Sequence, residues 1–237
     1  MLLSIAIVFL ATASPLCREV SLPPIIRVEH CDKVEHTASF PRCDFGQSPV
    51  TEAVNKAVES RVRKEADYDT PAPPERNDCD EFPSRNRPVD ASCGDPYVVA
   101  NVVSYPCGSS WVGVHPDGAS WSINLEISID ATLRELKLRD LLLSAAAEAR
   151  LWRLIRANLA KQISEAYAND PPGSEWVDEQ LAAADQRYEA FNLTRGGLVV
   201  SYGHSSFGYS VLDATIPYEK LHGILARKFF PRPRKHR

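Results

Sequence analysis

The cysteines constrain the fold of this chain more than any other feature of its sequence. All six lie in the first half of its 237 residues: Cys17, Cys31, Cys43, Cys79, Cys93 and Cys107. None forms a C-x-x-C pair, so the tight ligand pairs of a structural zinc site are missing. An even number of widely spaced cysteines favours disulfide bonds over free thiols and predicts an oxidising compartment. The spacing alone does not choose among the possible pairings.

An apolar segment at the N-terminus supports export. Residues 2–11 are apolar except for one serine, and Ala11, Thr12 and Ala13 follow as small residues of the kind that a signal peptidase cleaves after. The run is too short to cross a bilayer, which needs about 20 apolar residues. We therefore predict a cleaved signal peptide over residues 1–14 and no transmembrane span. The alternative is a buried N-terminal strand or helix, since no basic residue precedes the run.

The charge distribution argues against nucleic acid as a partner. The 27 basic and 31 acidic side chains give a net charge of -4, and six of the basic residues crowd the last eleven positions, 227–237. Without this basic tail the chain has 21 basic and 31 acidic residues, a net charge of -10. Such a balance argues against nucleic-acid binding. The tail is predicted to be a frayed terminus or to contact an anionic surface.

Hydrophobic spacing predicts a single α+β domain over residues 15–226, with antiparallel sheet and a few packed helices. Helices are expected from Ser48, as N-cap residue, and Pro49, over 144–168, and from Pro217 onward. Strands are expected at 25–28, 97–105, 110–114, 120–129, 188–193, 198–202 and 210–216. A proline-rich loop is predicted at about 70–92, and a hairpin turn at 115–118. Trp121 and Trp152 fall at core-facing positions of this pattern.

Catalytic motifs are missing from the sequence. It contains no G-x-S-x-G, S-x-x-K, H-E-x-x-H or P-loop pattern. We therefore expect a non-enzymatic protein without a cofactor. The alternative is a metal-assisted hydrolase of envelope glycans, in which His115, Asp117 and His204 would hold the metal. The simpler interpretation of His115 is a turn histidine that is hydrogen-bonded to backbone.

Two stretches carry a resemblance to a known family. Residues 111–142 contain V-H-P-D-G, the strand SWSINLEI and L-K-L-R-D-L-L, and residues 191–225 contain F-N-L-T-R-G-G-L-V-V-S-Y followed by S-F-G-Y-S-V-L-D-A-T-I-P-Y-E-K-L. They resemble the extracellular domain shared by the anti-sigma factor RsiV and the N-terminal region of the peptidoglycan deacetylase PdaC. Residues 36–64 resemble the opening strand and helix of that domain more loosely. The loop at 70–92 looks like an insertion.

The resemblance implies a secreted or periplasmic domain of the bacterial envelope. In RsiV the equivalent domain binds lysozyme, and in PdaC it accompanies a separate catalytic domain, which has no counterpart in this sequence. We therefore expect a domain that binds peptidoglycan or a lysozyme-like enzyme. A further alternative is an envelope scaffold protein.

The predicted binding surface combines the turn around His115 with the glycine- and aromatic-rich segment 202–209. Both adjoin predicted strands, and loops held by a rigid scaffold commonly carry recognition residues. The candidate binding residues are His115, Asp117, Tyr202, His204, Phe207 and Tyr209.

Overall fold

The computed structural model describes residues 15–29, 32–68, 86–111, 117–128, 130–167, 173–203 and 212–231. In this part of the chain, sheets that are mostly antiparallel pack against helices, so the predicted α+β class is confirmed. The predicted signal peptide and most of the proline-rich loop lie outside the described residues. So do Cys31, Cys79, His115, His204, Phe207 and Tyr209.

The larger sheet contains eight of the described strands. They are β1 (Leu16–Ser21), β2 (Ile25–Glu29), β3 (Asp32–Asp44), β4 (Asn86–Cys93), β5 (Tyr97–Val99), β6 (Val102–Trp111), β7 (Asp117–Ile127) and β8 (Leu133–Glu135). The order is β1-β3-β4-β6-β7-β8; β2 also pairs with β3, and β5 with β6. The pairing of β3 with β4 is parallel, and the other pairings are antiparallel.

The smaller sheet has the order β11-β10-β9. Its strands are β9 (Ala190–Leu193), β10 (Gly197–Tyr202) and β11 (Leu212–Pro217). The helices are α1 (Ser48–Glu65), α2 (Ala145–Ala166), α3 (Ser174–Ala182), α4 (Ala184–Arg187) and α5 (Tyr218–Leu221). In the described ranges, 3-10 turns cover Leu138–Leu141 and Arg227–Phe229. No described helix combines the length and the apolar character that crossing a bilayer requires.

Helix α1 covers one face of the larger sheet and forms the first core. Val50, Val54, Val58 and Val62 are buried against β3 and β7, as their helical spacing predicts. Buried Asn55 fixes the helix to β3, because its side chain accepts a hydrogen bond from Cys43 N and donates one to Cys43 O, both at 2.9 Å. The prediction of Ser48 as N-cap is wrong: Gln47 has that position, and no side chain caps the helix.

Helix α2 covers the smaller sheet and forms the second core. Leu151, Ile155, Leu159 and Ile163 are buried on one side of the helix, which confirms the predicted face. Ser144 caps its N-terminus, accepting a hydrogen bond from Ala147 N at 3.2 Å. The expectation of core positions for Trp121 and Trp152 is confirmed, since they are 7% and 8% exposed.

Several elements differ from the sequence-based expectations, among them β1, β8, α3 and α4, which the sequence pattern does not predict, and three further differences have a clear physical reason. Residues 97–105 form two strands instead of one, because Ala100 adopts φ 52° and turns β5 back onto β6, so that Val99 pairs with Val102. Strand β4 lies at the end of the predicted loop, where backbone pairing with β3 and β6 stabilises it despite its polar composition. The last helix ends after one turn at Leu221, and Gly223 in the left-handed region redirects the chain.

Among the described residues, two disulfides join neighbouring strands of the larger sheet. Cys17 in β1 is bonded to Cys43 in β3, and Cys93 in β4 is bonded to Cys107 in β6. In each pair the two residues lie directly opposite each other in the strand register. The predicted disulfides are confirmed for these four cysteines.

The core continues beyond residue 226, at which the sequence places the domain end. Phe229 is fully buried. The Lys228 ammonium lies 2.5 Å from Oε1 of Glu126, and Nη2 of Arg134 lies 2.6 Å from Oε2 of the same carboxylate. Partial burial opposes ionisation of Glu126, but hydrogen bonds and charge from Lys228 and Arg134 outweigh it and lower the pKa of this carboxyl group. The base of the basic tail is therefore anchored to the larger sheet.

Candidate binding site

A buried polar network joins the two sheets. The Ser104 hydroxyl donates to Asn124 Oδ1 at 2.6 Å, and Leu193 N donates to that hydroxyl at 3.0 Å. Asn124 Nδ2 donates to the Phe191 carbonyl at 2.8 Å. These bonds connect β6 and β7 of the larger sheet to β9 of the smaller one. Because buried polar groups are costly to leave unpaired, the network fixes the position of the two sheets relative to each other.

The Glu189 carboxylate links the start of β7 to the end of β10. Its Oε2 accepts a hydrogen bond from Ser120 N at 2.8 Å, and Glu189 N donates to Ser201 O at 2.9 Å. The carboxylate also lies against Gly203, where a Cβ atom would be 1.9 Å from Glu189 Oε1. Only glycine leaves room for the carboxylate in this position. We call this contact between Glu189, Ser120 and Gly203 the Glu189 junction.

The junction brings together the described ends of the two predicted recognition segments. Strand β7 begins at Asp117, three residues before Ser120, and Gly203 directly precedes residue 204. His115, His204, Phe207 and Tyr209 lie outside the described residues, and the side chain of Asp117 is not described either. Their part in binding stays a prediction.

Tyr202 is the candidate binding residue whose side chain the structure describes. It is 0% exposed and belongs to the second core, at the end of β10. Burial raises the pKa of its phenol, with the charge of Asp185 adding to the effect, so the hydroxyl stays protonated at physiological pH. Tyr202 therefore belongs to the second core, directly before Gly203 in the sequence, and its part in binding stays a prediction.

A cleft of about 540 Å³ opens beside the Glu189 junction. Its aromatic lining residues are Trp121, Trp152, Tyr188 and Phe191. The rings of Trp152 and Tyr188 are tilted against each other, with their centroids 5.6 Å apart. Its charged lining residues are of both signs: Arg61, Lys137, Arg139, Glu135, Glu148, Asp185 and Glu189. The cleft thus offers aromatic surface next to hydrogen-bond donors and acceptors.

Metal binding finds no support in the described ranges. There, no three histidine, cysteine, aspartate or glutamate side chains are close enough together to hold a metal ion. The predicted metal ligands His115 and His204 lie outside these ranges, so the metal-site alternative stays untested.

Comparison with known proteins finds solved structures with a similar fold. No protein-family model matches the chain, and no curated protein matches it. The chain is similar to the crystal structure of a DUF3298 family protein from Pseudomonas aeruginosa PAO1, with a TM-score of 0.58 and 16% identity over 94% of this chain and 99% of that one. It is also similar to a DUF3298 family member from Bacteroides fragilis, with a TM-score of 0.52 and 14% identity over 91% of this chain and 96% of that one. These likenesses show a shared fold.

Proposed function

We propose that this protein is a secreted or periplasmic domain that binds a partner of the bacterial cell envelope, either peptidoglycan or a lysozyme-like enzyme, without catalysing a reaction. Its resemblance to the RsiV-like extracellular domain supports the partner class. The two disulfides are consistent with an oxidising compartment. The fold likeness to two DUF3298 proteins extends over nearly all of the chain.

The Glu189 junction is the observation that carries the proposal. It joins the described ends of the His115 turn and the 202–209 segment, which are far apart in the sequence. Binding residues are commonly presented by loops that a rigid scaffold positions. Here the scaffold is the buried network of Ser104 and Asn124 together with the second core, to which Tyr202 belongs.

A paired binding experiment tests the proposal. The oxidised protein is incubated with insoluble peptidoglycan for sedimentation, and is titrated with lysozyme in a calorimeter. We expect binding to one of the two partners, with an affinity that falls at least fivefold in His115→Ala and Tyr209→Ala. The matched controls are His222→Ala and Tyr167→Ala, both away from the Glu189 junction, which should bind like the unmodified protein.

Two results would contradict the proposal. One is the absence of binding to either partner by protein whose fold circular dichroism has verified. The other is unchanged affinity in both His115→Ala and Tyr209→Ala, which would remove the proposed surface even if a partner binds.

A further inference from the structure

We propose that the cleft beside the Glu189 junction binds a short neutral glycan segment, with a sugar ring against Tyr188 and its hydroxyl groups bonded to the polar lining. The inference rests on the proposed envelope-binding function and selects the glycan of peptidoglycan over a protein partner as the ligand of this site.

The size of the cleft favours a small ligand. Small-molecule sites typically enclose about 300 to 1,000 Å³, and the cleft volume of about 540 Å³ is within this range. A stable protein partner would instead cover about 800 Å² on a broad surface. A concave site of this volume accommodates one or two sugar rings of a polymer that continues outside it.

The aromatic wall suits the apolar face of a sugar. Tyr188 is half-buried between α4 and β9, and its ring lies against that of Trp152, with the centroids 5.6 Å apart. A ring supported in this way has little freedom to lose when a ligand stacks on it. Burial raises the pKa of the Tyr188 phenol, with Glu148 adding to the effect and Arg139 opposing it. The hydroxyl therefore stays protonated and can both donate to and accept from a sugar hydroxyl.

Three of the lining residues have a buried polar atom without a hydrogen bond in the described part of the chain: Arg61, Trp121 and Asp185. Arg61 Nε and Asp185 Oδ1 form ion pairs, with Glu65 at 2.9 Å and with Arg156 at 3.5 Å, so the Trp121 indole N–H is the donor that lacks a partner among them. Buried polar atoms in native structures are usually paired, so unpaired ones need an explanation such as a bound molecule. A sugar hydroxyl can accept a hydrogen bond, so one that enters the wall of the cleft can pair with the Trp121 indole N–H.

The charge of the cleft argues against an anionic ligand. Among its lining residues, the four carboxylates outnumber the three basic side chains. A phosphate-rich polymer would meet net repulsion at close range, whereas a neutral glycan would find donors and acceptors of both kinds.

Tryptophan fluorescence tests the inference, because Trp121 and Trp152 line the cleft. The oxidised full-length protein is titrated with the tetramer of N-acetylglucosamine. We expect a saturable change in emission. In Tyr188→Ala the affinity should fall about tenfold, because stacking of a ligand on an aromatic ring contributes a binding energy of this order. Tyr188→Phe should lose less, because it retains the ring. Tyr167→Ala, at the end of α2, is the matched control and should bind like the unmodified protein.

The outcomes of this titration distinguish the glycan site from the proposed envelope-binding function. A saturable change that is lost in Tyr188→Ala and kept in Tyr167→Ala supports the glycan site. No saturable change, or equal affinity in both variants, overturns it, even if the protein sediments with peptidoglycan or binds lysozyme. Should Tyr188→Ala fail to fold, Arg139→Ala replaces it: this side chain is exposed, and its loss from the lining should weaken binding at least twofold.

Discussion

The substitution Gly203→Ala tests the geometry of the Glu189 junction. The added Cβ atom would lie 1.9 Å from Glu189 Oε1, far inside van der Waals contact, so the carboxylate has to move. Movement breaks its 2.8 Å hydrogen bond with Ser120 N. A hydrogen bond to a charged group contributes about 1.5 to 3 kcal/mol, and because this one is exposed to solvent we expect the lower end of that range. We therefore expect Gly203→Ala to reduce the free energy of unfolding by about 1.5 kcal/mol.

The same substitution in a Glu189→Ala background has a different expected effect. There the three atoms nearest to the added Cβ, all of the Glu189 carboxylate, are gone, and the backbone of Gly203 does not occupy the left-handed region that would strain alanine. Replacing glycine by alanine at a compatible position stabilises by about 0.4 to 1 kcal/mol through the entropy of the unfolded chain. The sign of the effect should therefore reverse, with a coupling energy between the two positions of about 2 kcal/mol.

Urea unfolding of the four proteins, followed by circular dichroism under oxidising conditions, measures this cycle. If Gly203→Ala destabilises equally with and without the Glu189 carboxylate, the two residues are not coupled and the described junction is wrong. Glu179→Ala, which removes an exposed carboxylate from α3, serves as the control background.

Three further predictions concern the scaffold. Gly197→Ala should lower the free energy of unfolding by more than about 3 kcal/mol in thermal unfolding, because the φ of 149° is unfavourable for alanine and the added Cβ would lie 2.1 Å from a backbone oxygen of β11. The control Gly196→Ala, whose added Cβ would have its nearest neighbour 3.9 Å away, should lower it by less than about 1 kcal/mol. Glu126→Gln should lower the free energy of unfolding at neutral pH. This loss relative to the unmodified protein should vanish as the pH falls through the lowered pKa of the Glu126 carboxyl group, because that pKa is higher in the unfolded chain. A loss that persists in acid would show that the attraction between the Glu126 carboxylate and its two cationic partners contributes no stability. Removing the Cys93–Cys107 disulfide by alanine at both positions should lower stability by about 3 kcal/mol in urea, given a sequence separation of 14; an unchanged midpoint would contradict this.

The elements that sequence analysis predicts best are those with one buried face. Strand β7 alternates, so Trp121, Ile123 and Leu125 point to the first core while Ser122 and Glu126 do not. Its pattern is visible without the fold, and so is the apolar stripe of α2. Strand β4 has no such stripe. It is held by backbone pairing with β3 and β6, and the types of its side chains do not predict that pairing.

The candidate site is less accessible to sequence analysis, because tertiary structure brings its parts together. Trp121, Trp152 and Tyr188 belong to separate elements, and nothing in their spacing predicts a shared cleft. Glu189 is a single exposed carboxylate before an apolar strand, which by itself resembles an ordinary surface residue. Its role follows only from the contacts with Ser120 and Gly203. The sequence feature that indicates a close contact here is the glycine at 203, directly after the strand that ends at Tyr202.

Sedimentation with purified insoluble peptidoglycan, run beside a lysozyme titration on the same oxidised protein, tests the central claim most directly. Our account predicts that the unmodified protein binds one of these partners and that Glu189→Ala, which disconnects the ends of both recognition segments, binds it more weakly than Glu179→Ala does. A folded protein that binds neither partner, or a Glu189→Ala variant that binds as well as the control, would contradict it.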